Sequence, residues 1–129
     1  MGPTSLSVLI VSSHDATELA ETVRNGGHDV RVAGDSAPDK ARAASPDVIL
    51  LDLAKTAPGV YHLAARMAGT GWPRHPLLVG VGGPADPASR DRAAASGIEL
   101  CLPAPVDATA LLGLLTRYAA LLHLAGPAP

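Results

Sequence analysis

The sequence predicts an α/β fold in which helices cover both faces of a five-stranded parallel sheet. Short apolar runs alternate along the chain with segments of helical periodicity, and this alternation is typical of strand-helix-strand units. The third apolar run contains only valine, isoleucine and leucine and lacks polar alternation, which favours a strand buried on both faces. The predicted strands lie within residues 6–11, 28–33, 46–53, 77–81 and 98–102.

Capping signals predict where the first helix begins and ends. Asp15 and Glu18 resemble a capping box that opens this helix. The helix is expected to bury Leu19 and Val23 and to end at the glycines of residues 26–27. The strand that follows alternates polar and apolar residues, which indicates a position near the edge of the sheet.

The later strands are each followed by a further predicted helix. Serine and aspartate are favoured N-caps, and proline is favoured in the first turn of a helix. These helices are therefore predicted to begin near Ser36, Pro58, Pro87 and Asp107. Gly97 ends the helix before the fifth strand, because glycine is the usual residue just past a helix end. The last helix carries a core stripe made of Leu111, Leu115, Tyr118 and Leu122.

Composition places limits on the function. The chain has 129 residues, enough for one domain, which we expect to span residues 1–124, with 125–129 as a flexible tail or the start of a linker. No apolar stretch approaches the roughly 20 residues of a membrane span, although the mean hydropathy is +0.22. The net charge of −2 gives no support to direct nucleic-acid binding. Cys101 is the single cysteine, so no internal disulfide forms, and no secretory signal is visible. We expect a cytoplasmic protein.

Asp52 is the candidate reactive group. It ends the apolar third strand, and in open α/β sheets ligands and chemistry collect at the carboxyl ends of the parallel strands. The alternative from the residues alone is that Asp52 is a strand-end acid that accepts hydrogen bonds from nearby backbone N–H groups.

The chain resembles the receiver domain of two-component response regulators over nearly its whole length. Five segments carry the resemblance in the family's order: residues 8–11, 27–33, 46–52, 76–81 and 104–107. The resemblance implies a flavodoxin-like, doubly wound sheet with strand order 2-1-3-4-5. It also implies that Asp52 is the phosphoacceptor and that the domain is a signalling module rather than an enzyme.

The family's other active-site residues are replaced. Two acids that normally hold Mg²⁺ after the first strand align with Ser12 and Ser13, and the hydroxyl residue that senses the phosphoryl group aligns with Gly82. The lysine before Pro105 is replaced by Ala104, and the aromatic switch position is Cys101. Because phosphoryl transfer to a carboxylate needs Mg²⁺ and positioned cations, we expect no cofactor and a Mg²⁺ site that is weak or absent.

Three functions stay open from the sequence. The first is a degenerate receiver, or pseudo-receiver, that acts in phosphorelay signalling mainly as a protein-protein interaction module. The second is a working phosphoprotein receiver, phosphorylated on Asp52 by a histidine kinase with unusual metal ligands. The third, a flavodoxin-like enzyme or cofactor binder, has the least support, because the loop after the first strand lacks the glycine and threonine content that would cradle a flavin phosphate.

The last helix suggests an interaction surface. Beyond its core stripe it carries Leu114, Leu121 and Leu124, which we predict to be exposed and to contact a second copy or another protein, such as a histidine kinase or a covalently linked domain. Receivers commonly pair through this region, so the resemblance implies the same surface. The resemblance also implies a cis peptide bond between Ala104 and Pro105.

Overall fold

The predicted sheet forms in a computed structural model, which describes residues 5–12, 16–33, 45–53, 59–69, 76–83, 87–103 and 106–125. Its strands are β1 (Ser7–Val11), β2 (Asp29–Ala33), β3 (Val48–Asp52), β4 (Leu77–Gly83) and β5 (Leu100–Pro103). The described helices are α1 (Thr17–Asn25), α2 (Gly59–Ala68), α3 (Pro87–Ala95) and α4 (Ala108–Ala125). All strand pairs are parallel, in the order β2-β1-β3-β4-β5, so the predicted fold class and strand order are confirmed. The helix predicted near Ser36 lies outside the described residues.

Strand β3 is the centre of two apolar cores, one on each face of the sheet. Val48 and Leu50 pack in a cluster with the apolar side chains of α1 and α4. Ile49 and Leu51 point to the opposite face and pack with those of α2 and α3. All four side chains are fully buried, which explains why this strand lacks polar alternation. The edge position predicted for the second strand is also confirmed.

Asp47 fixes the start of the central strands. Its Oδ2 accepts a hydrogen bond of 2.9 Å from the backbone N–H of Ser7, and its own N–H donates to the carbonyl of Ser7 at 2.8 Å. Its carbonyl accepts a 3.0 Å bond from the N–H of Leu77. Asp47 therefore ties β1, β3 and β4 together at their amino ends, and this sets the register that brings their carboxyl ends together.

Helices α1 and α3 end in the same way. Gly27 and Gly97 adopt φ values of +91° and +92° just past the two helix ends. The next residues, His28 and Ile98, donate their N–H groups back to the carbonyls of Val23 and Ala93. This is the Schellman arrangement, in which a residue in the left-handed conformation satisfies the last helical carbonyls. The predicted helix ends at residues 26–27 and 97 are confirmed.

Several boundaries differ from the prediction. Strand β4 continues to Gly83 rather than ending at residue 81. Strand β5 begins at Leu100 rather than at residue 98, because the N–H of Ile98 is used by the helix cap and its buried side chain packs in the core under α3. The capping-box prediction was wrong, since the N-cap of α1 is Ala16, which makes no side-chain cap, and Asp15 lies outside the described residues. By contrast, Asp107 caps α4 as predicted, with its Oδ1 accepting a 3.0 Å bond from the N–H of Thr109.

His28 gives the fold a pH dependence. The side chain is 6% exposed, and its Nδ1 accepts a 3.1 Å hydrogen bond from the N–H of Leu6, which requires an unprotonated nitrogen. Burial lowers the pKa of His28 below its ordinary value of 6.5. Below pH 6.5 the imidazole of His28 binds a proton in the unfolded chain, whereas in the folded chain it stays neutral down to a lower pH. The contribution of neutral His28 to the free energy of unfolding is therefore complete above pH 6.5 and falls as the pH drops towards the pKa of the folded state.

We therefore expect the free energy of unfolding, measured in urea between pH 5 and pH 8, to fall more steeply towards acid in the wild type than in His28→Gln. Glutamine keeps an acceptor oxygen for Leu6 and does not titrate near neutral pH. Because the other histidines and the carboxylates are common to both proteins, the difference in slope isolates His28. Identical slopes would contradict the assignment.

Candidate functional site

The sheet places Asp52 beside Ser12. Val11 pairs with Leu51 across β1 and β3, so the next residue on each strand lies at the same level of the sheet. The Ser12 hydroxyl donates a 3.1 Å hydrogen bond to Oδ2 of Asp52. Ser12 is itself 6% exposed, and its N–H donates to the carbonyl of Ala33 at 3.0 Å, so backbone and burial both hold the hydroxyl in place.

This pair differs chemically from a pair of acids at the same positions. Two carboxylates side by side repel each other and are relieved by a divalent cation. A serine hydroxyl is neutral and donates a hydrogen bond, so it stabilises the Asp52 carboxylate without a metal. Among the described residues, no group of three histidine, cysteine or acidic side chains could hold a metal ion. Ser13 and Asp15, which follow Ser12 in the chain, lie outside the described residues.

Gly82 lies on the other side of Asp52. Asp52 pairs with Val81 of β4, and the β4-β5 register is irregular between Val81 and Gly83. Gly82 adopts φ +77° at this point and is buried. The left-handed conformation suits glycine and strains a β-branched residue, so the backbone at this position does not favour a residue such as threonine.

A cleft of about 360 Å³ opens at the carboxyl end of the sheet next to Asp52. Asp52, Val81 and Gly82 line it from the ends of β3 and β4. The described residues on its other walls come from α1 and α4 and the positions just before them: Ala16, Glu18, Leu19, Thr22, Val106, Ala108 and Leu111.

The sequence pattern does not predict this cleft. It places Glu18 in a helix cap and Leu111 in the core, and it gives Thr22 no role. Glu18 and Thr22 are four residues apart on α1, so they share one face of the helix. That spacing was a visible signal, but the strand order was needed to show that this face looks towards Asp52.

The remaining predicted positions are only partly brought to the site. Cys101 is exposed on β5 and is not among the described residues that line the cleft. Ser13, Ala104 and Pro105 lie outside the described residues, so the lost lysine and the cis peptide bond stay predictions from the resemblance.

The predicted surface of the last helix is corrected at one position. Leu121 is 62% exposed, as expected. Leu114 was predicted to be exposed but is half-buried and packs against the core cluster that contains Leu111 and Leu115, because its side chain lies next to that stripe on the helix. The side chain of Leu124 lies outside the described part of the structure.

Several solved structures with the same architecture are described as receiver domains or response regulators. The signal receiver domain of a DNA-binding response regulator from Colwellia psychrerythraea superposes with a TM-score of 0.76 at 21% identity, covering 90% of this chain and 98% of that one. The receiver domain of a sensor histidine kinase from Pseudomonas aeruginosa, which has a magnesium ion coordinated in its active-site cleft, gives 0.74 at 18% identity, with 88% and 98% covered. Chemotaxis protein CheY4 of Vibrio cholerae gives 0.72 at 22% identity, with 86% and 96% covered.

The chain has the receiver-domain fold. No protein-family model and no curated protein matches the sequence, so the likeness is one of backbone architecture. In the part of the receiver fold that the structure describes, none of the helices is sufficiently long and apolar to span a membrane.

Proposed function

We propose that this chain is a degenerate receiver domain of two-component signal transduction, which acts in the cytoplasm mainly through protein-protein contacts and with weak or absent Mg²⁺-dependent phosphorylation. The observation that carries the proposal is the hydrogen bond from Ser12 to Oδ2 of Asp52. A buried neutral donor stands where receivers place an acid that helps to hold Mg²⁺.

The chemistry of phosphorylation explains why the replacement of an acid by Ser12 matters. A carboxylate oxygen attacks the phosphorus atom of a phosphohistidine as the P–N bond breaks and the histidine leaves, and negative charge gathers on the oxygens of the carboxylate and the phosphoryl group. Mg²⁺ and a positioned cation normally offset this charge. Neither Ser12 nor Gly82 contributes a charge or a metal ligand of the usual kind, so these two positions give Asp52 none of the support that makes the transfer fast.

A working receiver is the second candidate, because Asp52 itself ends β3 and lines a cleft, as a phosphoacceptor requires. Amide NMR with Mg²⁺ and beryllofluoride, a mimic of the phosphoryl group, separates the two candidates. We expect wild type and Asp52→Asn to respond alike, with no localised shifts at residues 52, 81 and 82. Localised shifts in the wild type that vanish in Asp52→Asn would establish a working receiver and end the degenerate proposal.

The interaction surface proposed for the domain is the face of the last helix around Leu121, with a second copy or another protein as the partner. Leu121→Glu puts a charge on a leucine that is 62% exposed. We expect it to weaken self-association at least ten-fold, about 1.4 kcal/mol, while leaving the fold intact, because exposed substitutions rarely change stability by more than about 0.5 kcal/mol.

Light scattering over a concentration series measures the effect on Leu121. Thr116→Glu is the matched control, because residue 116 is exposed on the same helix but lies about 140° away around its axis. A wild type that is a dimer and a Leu121→Glu variant that is a monomer would support this surface. An oligomeric mass unchanged by Leu121→Glu would count against it as a homodimer interface.

A further inference from the structure

The residues just before β1 are joined to the turn between α1 and β2 by three hydrogen bonds. The Ser5 hydroxyl donates to the carbonyl of Gly27 at 3.1 Å. The N–H of Leu6 donates to Nδ1 of His28 at 3.1 Å. The carbonyl of Leu6 accepts a 2.9 Å bond from the N–H of Asp29. We call these five residues the amino-terminal clip.

The imidazole of His28 makes one of these bonds depend on protonation. Nδ1 accepts the N–H of Leu6 only while that nitrogen carries no proton. A proton on Nδ1 would turn the acceptor into a donor that faces another donor. It would also place a positive charge on a side chain that is 6% exposed, where burial opposes charge.

The charged residues on the elements around His28 are at the surface. Arg24 ends α1, and Asp29 follows His28 on β2, and both are exposed. Leu112 of α4 lies against the end of α1 beside the imidazole. Among the described side chains of α4 the charged residue is Arg117, which lies about 140° around the helix from Leu112. Strand β1 carries no charged residue. Burial is therefore the environment that His28 responds to, as the direction of its pKa indicates.

Strand β1 has its own attachment, which does not involve the clip. The N–H of Ser7 donates to Oδ2 of Asp47 at 2.9 Å, and the carbonyl of Ser7 accepts the N–H of Asp47 at 2.8 Å. Both bonds tie Ser7 to the start of β3, on the side of β1 away from His28. When the clip opens, the chain from Ser7 onward therefore keeps its place, and the hinge lies between residues 6 and 7.

We propose that the amino-terminal clip is a pH-dependent switch, in which protonation of His28 releases residues 5 and 6 from the turn between α1 and β2 while β1 stays in the sheet. Leu6 is 3% exposed and packs in the same core cluster as Val30. Its burial keeps the clip closed at neutral pH. The open form exposes Leu6 and so presents a new apolar surface at the amino end of the sheet. Because Asp52 lies at the opposite end, the switch does not depend on the proposed function.

Amide hydrogen exchange at pH 7 and pH 5, in urea below the unfolding transition, tests the switch. The N–H of Asp29 reports on the clip, and the N–H of Asp47 reports on the attachment of β1. After correction for the intrinsic exchange rate, we expect the opening constant at Asp29 to rise several-fold at pH 5. The rise cannot exceed about 25-fold, because the imidazole in the open form has the ordinary pKa of 6.5.

The urea dependence separates a local opening from unfolding of the whole domain. Opening at Asp29 should be nearly independent of urea, because it exposes little surface. The opening constant at Asp47 should be at least about ten-fold smaller at both pH values and should rise with urea. Equal opening constants with equal urea dependence at the two residues would overturn the proposal, since residues 5 and 6 would then detach only when the domain unfolds.

Two variants assign the pH dependence to His28. His28→Gln keeps an acceptor for Leu6 and does not titrate in this range, so the opening constant at residue 29 should be the same at pH 7 and pH 5. Asp29→Asn is the matched control, because it keeps the reporting N–H and removes the exposed charge next to His28; it should retain the rise seen in the wild type. A rise that persists in His28→Gln, or that disappears in Asp29→Asn, would overturn the assignment.

Discussion

Leu50→Ala is expected to lower the free energy of unfolding by about 3–5 kcal/mol, which is the upper part of the range for a leucine truncated in a core. Leu50 is fully buried on β3, the middle strand of the sheet, and belongs to the core cluster under α1 and α4. The strands on both sides of β3 are held by backbone pairing, so they cannot move in to fill the space. The lost contacts and the remaining cavity both lower stability.

The matched control for Leu50→Ala is Leu121→Ala, the same chemical change at a position that is 62% exposed. It should change stability by no more than about 0.5 kcal/mol. Urea unfolding followed by circular dichroism measures both, and the thermal midpoint of Leu50→Ala should fall by roughly 10–20 °C for a chain of this length. A loss of under 1 kcal/mol in Leu50→Ala would mean that the centre of the sheet is not packed as described.

The sheet and its order could be predicted because their signals are local and repeated. A strand such as β3 is recognisable from its own residues, since a short run of valine, isoleucine and leucine is typical of a strand buried on both faces. Gly27 and Gly97 mark helix ends because the left-handed conformation that they adopt is costly for other residues. The resemblance then supplied the strand order, which no single segment encodes.

The errors have a common physical cause, because they concern residues whose role depends on a distant part of the chain. Ile98 has the composition of a strand residue, but its N–H is taken by the end of α3 and its side chain fills the core there. Leu114 lies near enough to the core stripe of α4 to be covered by the rest of the domain. Helical periodicity gives the direction of a side chain but not how far the neighbouring core extends.

The candidate site also combines features that the sequence predicts with features that depend on distant parts of the chain. Asp52 was found from its place at the end of β3, and Ser12 was aligned with it from the resemblance. The hydrogen bond between them needed the register of β1 against β3, and the cleft needed α1 and α4 in place. The sequence thus identified Asp52 and Ser12, and the tertiary structure supplied their contact and the other residues that line the cleft.

The double variant Ser12→Asp, Ser13→Asp is expected to create a Mg²⁺ site beside Asp52. Without metal, the new carboxylate at position 12 lies at a site that is 6% exposed, beside Asp52, and should lower stability by roughly 2–4 kcal/mol through burial and like-charge repulsion. With Mg²⁺ at 100 times its dissociation constant, binding should restore about 2.7 kcal/mol.

Urea unfolding with and without millimolar Mg²⁺ measures both the loss of stability in the double variant and its recovery when the metal binds. Ser12→Asn, Ser13→Asn has nearly the same shape as the acidic variant without its charge, and its stability should not respond to Mg²⁺. Because a metal that binds only the folded chain must raise stability, the response to Mg²⁺ reports directly on whether acids at these positions are the missing ligands. If Mg²⁺ already stabilises the wild type, Asp52 binds the ion without acids at positions 12 and 13. If Mg²⁺ does not stabilise the acidic variant, this chain differs from a working receiver by more than these two charges.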